Sequence, residues 1–187
     1  MPREEIDGFL KSIPSRFTDP LTDIHPSSER ELSAVLAAKH QLRQVRWDAV
    51  RLWSRDAPEP DECASSVIEV GDLVFCEYPL FANAGMEVDR WGAMAPDLIF
   101  LSTDMQRLTL VECKLDSHFT HADMPPDGQL SRYLEFLCHL PANKRNLLLI
   151  CPDCNRDWYA KRLWAAAAKR KLSVNRRPSL TTFGVQS

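Results

Sequence analysis

Two short apolar runs separated by a polar turn constrain this chain most. The first covers residues 98–101 and the second residues 108–115, and Ser102-Thr103-Asp104-Met105-Gln106-Arg107 between them is rich in turn residues. That is a β-hairpin pattern. A hairpin closed about Asp104 and Met105 pairs Leu101 with Leu108, Ile99 with Leu110 and Leu98 with Val111, and sets Asp97 opposite Glu112. Side chains alternate along a strand, so Glu112 and Lys114 share a face. Asp97 joins them from across the ladder, at roughly 5 Å between opposed Cβ atoms. The strands are otherwise apolar on both faces, as in strands buried inside a covered sheet. Two carboxylates and a lysine at the end of such a hairpin are costly to bury unpaired. A divalent cation would resolve that cost.

The next segment adds a helix. Pro125-Pro126 stops what precedes it, and Asp127 offers an N-cap oxygen. Leu130, Tyr133, Leu134, Leu137 and Leu140 then recur at helical spacing, which predicts a helix over residues 128–140. Gln129 and Tyr133 stand four apart and share one of its faces.

The ordered set of Pro96-Asp97, Glu112-Cys113-Lys114 and Gln129-x-x-x-Tyr133 resembles the PD-(D/E)xK nuclease superfamily. Within it, the Gln-x-x-x-Tyr element is similar to the extra motif of the RecB-like exonuclease branch. The likeness is one of motifs and covers the middle of the chain. It implies an α/β fold with a restriction-endonuclease-like core, a mixed central sheet of four to five strands flanked by helices. It implies divalent-metal-dependent hydrolysis of DNA phosphodiester bonds, with RNA as a variant substrate. Asp97, Glu112 and the backbone carbonyl of Cys113 would hold one or two Mg²⁺ or Mn²⁺ ions, metals that favour hard oxygen ligands. Lys114 would orient or deprotonate the attacking water. Gln129 would orient substrate or a water ligand, and Tyr133 would pack beneath it or contact the backbone. In this superfamily a first-helix glutamate often points into the site, and by position Glu31 is the candidate here, with Glu29 next. The alternative is a catalytically silent domain of the same fold that acts in nucleic-acid binding or protein interaction. A buried Asp–Lys–Glu ion network in an unrelated α/β domain is a further reading.

The remaining elements follow from periodicity and capping. Residues 1–26 are expected to form a loosely packed N-terminal arm, and residues 27–187 a single nuclease-like domain with a basic C-terminal helix and tail. Ser28-x-x-Glu31 is a capping box, which gives Glu31 a plain local role as well. Apolar residues from Leu32 onward predict a helix reaching about Trp53, with a break near His40. Residues 67–70 and 73–78 read as two strands joined at Gly71-Asp72. Residues 81–95 read as a loop, in which Asp89 is a weaker rival metal ligand because it lacks a strand setting. Residues 116–127 form a polar loop whose His118 and His121 lie near the mouth of the implied site. Residues 146–151 are a fully apolar strand, reached by a crossover that would make it parallel. A helix over residues 156–171 with one basic face and an edge strand over residues 179–185 follow. Cys151-x-x-Cys154 reads as a turn, because no later cysteine completes a ligand set for a cluster.

Composition sets the outer bounds. A chain of 187 residues is long enough for one domain with a substantial core. Its 44% hydrophobic and 26% charged residues are ordinary for a soluble globular protein. No apolar run approaches a membrane span, and the N-terminal residues lack an apolar signal core. A cytoplasmic protein with no membrane association is therefore expected, its six cysteines reduced and mostly buried. The formal net charge of -3 argues against a strongly basic nucleic-acid coat, but the charge is segregated. Residues 53–104 hold eleven acids against Arg55 and Arg90, and from Lys144 onward ten bases stand against Asp153 and Asp157. That basic quarter fits either a track for a phosphate backbone or a solvated helix face. The modest charge suggests that a homodimer, or a larger repair or defence complex, supplies part of any DNA grip.

Overall fold

A computed structural model describes residues 28–48, 50–52, 62–78, 95–115, 129–139, 144–152, 156–169 and 179–185. The expectations placed on the 1–26 arm, on Asp89, on His118 and His121, and on Cys154 lie outside the described residues.

The hairpin forms as its alternation requires. Strand β4 (Leu98–Leu101) runs antiparallel to β5 (Arg107–Cys113), pairing Leu98 with Val111, Ile99 with Leu110 and Leu101 with Leu108. The turn is closed by side chains as well as backbone. Ser102 N–H donates to the Arg107 carbonyl at 3.0 Å, and Arg107 N–H returns a bond to Ser102 Oγ at 2.9 Å. Asp104 accepts from the Ser102 hydroxyl and from Gln106 N–H. Met105 takes the left-handed φ of 59° that such a turn needs.

Strand β3 (Leu73–Cys76) pairs antiparallel with the outer side of β4, while β6 (Lys144–Pro152) and β7 (Ser179–Val185) continue the sheet beyond β5 in parallel. The result is a mixed five-stranded sheet in the order β3-β4-β5-β6-β7. A second, two-stranded antiparallel sheet, β1 (Arg51–Leu52) with β2 (Glu62–Cys63), packs against it, with Leu52 buried in the core on one face of the main sheet. Three α-helices, α1 (Glu29–Gln41), α2 (Gln129–His139) and α3 (Arg156–Lys169), and a short 3-10 helix at Ala64–Ser66 complete the described fold. The crossover through α2 makes β6 parallel to β5, as its short loop and apolar run require.

Because β4, β5 and β6 are apolar on both faces, each face needs a cover. On one face Leu98, Phe100, Val111, Cys113, Leu148 and Ile150 pack with Leu32 and Leu36 of α1 and with Trp47, Val50 and Ile68. On the other, Ile99, Leu108, Leu110 and Leu147 pack with Leu130, Tyr133, Leu134 and Leu137 of α2 and Leu163 of α3. The class is α/β in three layers.

Two expected elements differ. Helix α1 stops at Gln41 instead of reaching Trp53; the break falls near His40, and Arg43 takes a left-handed φ of 57°. The chain then folds back, so that Trp47 Nε1–H donates to His40 Nδ1 at 3.0 Å while His40 Nε2–H donates to the Asp72 carbonyl at 2.7 Å. A continuous helix would carry Trp47 roughly 10 Å along the axis from His40 and forfeit both that bond and the edge-on contact of Trp47 with Phe100. Residues 67–70 likewise form no strand. The Val67 carbonyl is taken by the Thr109 hydroxyl at 2.6 Å, and Glu69 and Asp72 bond to each other in a tight turn. With its polar groups satisfied this way, the segment has no ladder to offer, and β3 pairs with β4. Among the described cysteines, all free thiols, Cys113 and Cys151 are buried, Cys63 and Cys138 are half-buried and Cys76 is exposed on the edge strand, so burial is less general than expected. No helix among the described residues is long and apolar enough to cross a membrane.

Candidate active site

At the end of the hairpin away from its turn, β5 runs out through Glu112, Cys113 and Lys114. Glu112 belongs to the same face as Leu108 and Leu110, beneath α2, and is 2% exposed. Asp97 lies just before β4, where its Oδ2 accepts the Cys113 backbone N–H at 2.6 Å. The Asp97 carbonyl in turn accepts from Glu77 N–H at 3.1 Å, so Asp97 is held from both neighbouring strands. Lys114 folds back over the pair: its Nζ lies 2.7 Å from Glu112 Oε1. The Lys114 backbone N–H donates to the Ile150 carbonyl at 2.7 Å, which continues the β5–β6 ladder to the site.

Helix α2 presents its Gln-x-x-x-Tyr face here. Tyr133 is fully buried, and its hydroxyl lies 3.1 Å from Glu112 Oε2 and 3.1 Å from the Ala95 carbonyl. Gln129 Nε2 donates to the same hydroxyl at 2.6 Å, one helical turn earlier. The spacing of four is what stacks amide on phenol. Gln129 thereby fixes Tyr133, and Tyr133 fixes one oxygen of Glu112.

The first helix contributes Glu29. Glu29 Oε2 lies 3.4 Å from Lys114 Nζ, and Glu29 Oε1 accepts Leu115 N–H at 3.3 Å. At Glu31, the first positional candidate, the backbone N–H donates to the Ser28 cap at 3.1 Å, the local role expected of it. Residues 29 and 31 are separated by about 200° around a helix, so one rotation of α1 cannot turn both to the site. A signal for the choice exists in the sequence. Glu29 stands three, four and seven residues before Leu32, Ser33 and Leu36, all buried, so it shares their face.

The electrostatics of this cluster are dominated by burial. Burial raises the Glu112 carboxyl to about 7; the Lys114 charge and bond pull it down, and Asp97 pushes it up. Burial likewise raises Asp97, against the Cys113 N–H and Lys114, with Glu29 and Glu77 adding to the rise. For Lys114, burial works downward, but Glu112, Glu29 and Asp97 outweigh it and the ammonium is held charged. Burial and the facing Glu112 push the Tyr133 phenol far up, so it stays a neutral hydroxyl. Among the described residues, three carboxylates therefore face a single ammonium, and two of them hold their protons more tightly than usual. That surplus of desolvated oxygen donors suits a hard divalent cation. The fit is partial in one respect: among the described residues no three His, Cys, Asp or Glu side chains are grouped to hold a metal unaided. Asp97, Glu112 and the Cys113 carbonyl would leave the other positions to water or substrate.

The basic C-terminal quarter is partly engaged in holding the fold. Arg145 donates to the Leu137 and Cys138 carbonyls at 2.6 and 3.1 Å, capping the C-terminus of α2. Arg162 lies over the Trp158 ring and bonds its carbonyl. Lys161 of α3 points to solvent.

Comparison of the chain with protein-family models, with curated proteins and with solved structures finds no match.

Proposed function

We propose that this protein is a divalent-metal-dependent nuclease that hydrolyses DNA phosphodiester bonds on a restriction-endonuclease-like core. The observation that carries the reading is the convergence of Asp97, Glu112 and Lys114 at one sheet end, with Gln129–Tyr133 braced against Glu112. Asp97, Glu112 and the Cys113 carbonyl are the residues that would hold Mg²⁺ or Mn²⁺. When bound, the metal supplies a Lewis acid for the phosphate oxygens and lowers the pKa of a bound water. Lys114, kept charged by its carboxylate neighbours, orients the attacking water and offsets charge developing on the phosphate. Tyr133, braced by Gln129, holds Oε2 of Glu112 and Lys114 holds Oε1, so the carboxylate is oriented before substrate arrives. Glu29 holds the Lys114 ammonium from the opposite layer. A cytoplasmic setting goes with this reading. So does a contribution to DNA grip from the basic C-terminal quarter, a second copy of the chain, or a larger repair or defence complex.

One observation favours a second reading. The close Glu112–Lys114 pair already neutralises one carboxylate, and the described residues contain no group of three side-chain donors. A silent domain of the same fold, or a buried ion network in an unrelated one, would look the same there. The two readings separate on turnover. With Mg²⁺ or Mn²⁺, the wild type is expected to cut single- or double-stranded DNA, and Asp97→Ala and Lys114→Ala to lose about a hundredfold or more in rate. Absence of cleavage by the wild type across both substrates and both metals would favour the silent domain.

A further inference from the structure

The site already described is acidic, and its one ammonium among the described residues is engaged by Glu112 and Glu29. A polyanionic substrate still needs a cation at the mouth. Arg30 is placed there. It follows Glu29 in α1, and its guanidinium makes a two-pronged contact with Glu77: Nε to Oε1 at 2.8 Å and Nη2 to Oε2 at 3.2 Å. Glu77 in turn donates its N–H to the carbonyl of Asp97. Each partner of the ion pair is therefore one link from a site carboxylate. We propose that Arg30 is the residue that takes a backbone phosphate of the nucleic-acid substrate, and that Glu77 holds its guanidinium in the phosphate-binding pose until the substrate displaces it. The inference deepens the nuclease reading and rests on it.

Three features of the pair support this. Its side chains are 81% and 46% exposed, and an ion pair so open to water contributes little to stability and is easily exchanged. Its parallel two-bond geometry is the one a guanidinium makes with phosphate, so the carboxylate is a close mimic of the ligand. Glu77 also takes a left-handed φ of 44°, unusual for a residue with a long side chain and concentrated where chains are held for function.

The test is binding of labelled single-stranded and duplex oligonucleotides in Ca²⁺, followed by anisotropy over a series of salt concentrations. Arg30→Ala is expected to weaken binding about tenfold. It should also lower the salt slope by about one phosphate contact. Arg30→Lys keeps the charge and should restore the slope while recovering only part of the affinity, because the fork is lost. Glu77→Gln removes the competing carboxylate and should tighten binding. An unchanged melting temperature for Arg30→Ala serves as the folding control. Wild-type affinity and slope in Arg30→Ala would overturn the inference while leaving the nuclease reading standing. A wild type that neither binds Mn²⁺ nor cleaves would bring down the reading and the inference together.

Discussion

Glu112 is a carboxylate almost wholly removed from water, and its stability consequences have a definite sign. Its ordinary pKa of 4.5 rises to about 7 in the fold, so between those values the native state binds more protons than the unfolded one. Its contribution to stability is therefore full below about pH 4.5 and is lost as pH rises through 7. Asp97 is raised as well and acts in the same direction. In metal-free protein, Glu112→Gln removes the titrating group, so its stability relative to wild type should climb across pH 4.5–7, by up to about 1.4 kcal/mol per pH unit. Urea unfolding at a series of pH values reads this out, and parallel curves for the two proteins would contradict it. At this scale much of the site was legible in the sequence. A period of two placed Glu112 with Lys114, hairpin symmetry brought Asp97 across, and a spacing of four joined Gln129 to Tyr133. The choice between Glu29 and Glu31 needed the rotation of α1, which the buried face of Leu32, Ser33 and Leu36 decides.

At the scale of elements, the β4–β5 hairpin is anchored at its turn by Arg107. The Arg107 side chain is 10% exposed and bonds Asp72 Oδ1 at 2.7 Å and the Glu69 carboxylate. Asp72 is 3% exposed, so removing its partner strands a buried charge. Arg107→Met should lower unfolding free energy by about 3–5 kcal/mol, and a companion Asp72→Asn should recover a large part. A loss below about 1 kcal/mol would mean that the pair behaves like an exposed one. This anchor also explains a misread strand. Residues 67–70 have strand-like composition, but Thr109 and Arg107 bond that segment from a distance along the chain, and spacing carries no trace of such contacts. The same holds for the end of α1, where His40 is bonded to the Asp72 carbonyl and Trp47 to His40. Capping by Ser28, by contrast, is a local signal and was readable.

For the whole molecule, the order β3-β4-β5-β6-β7 puts the hairpin with both carboxylates at the middle of the sheet, with α1 covering one face and α2 and α3 the other. The site sits where those layers meet: Glu29 comes from one cover, Gln129 and Tyr133 from the other, and Asp97, Glu112 and Lys114 from the sheet between. The continuous apolar runs of β4, β5 and β6 made a doubly covered sheet legible, and the crossover rule made β6 parallel. The partnership of β3 with β4 was hidden, because nothing in a short strand names its neighbour. The proposed divalent-cation site at this three-layer junction is tested most directly by calorimetric titration of Mn²⁺ into wild type and Asp97→Ala at neutral pH. Saturable binding in the wild type that Asp97→Ala abolishes is the expected result. Absence of binding in the wild type, or undiminished binding in Asp97→Ala, would contradict it and leave a buried ion network as the reason these charges meet.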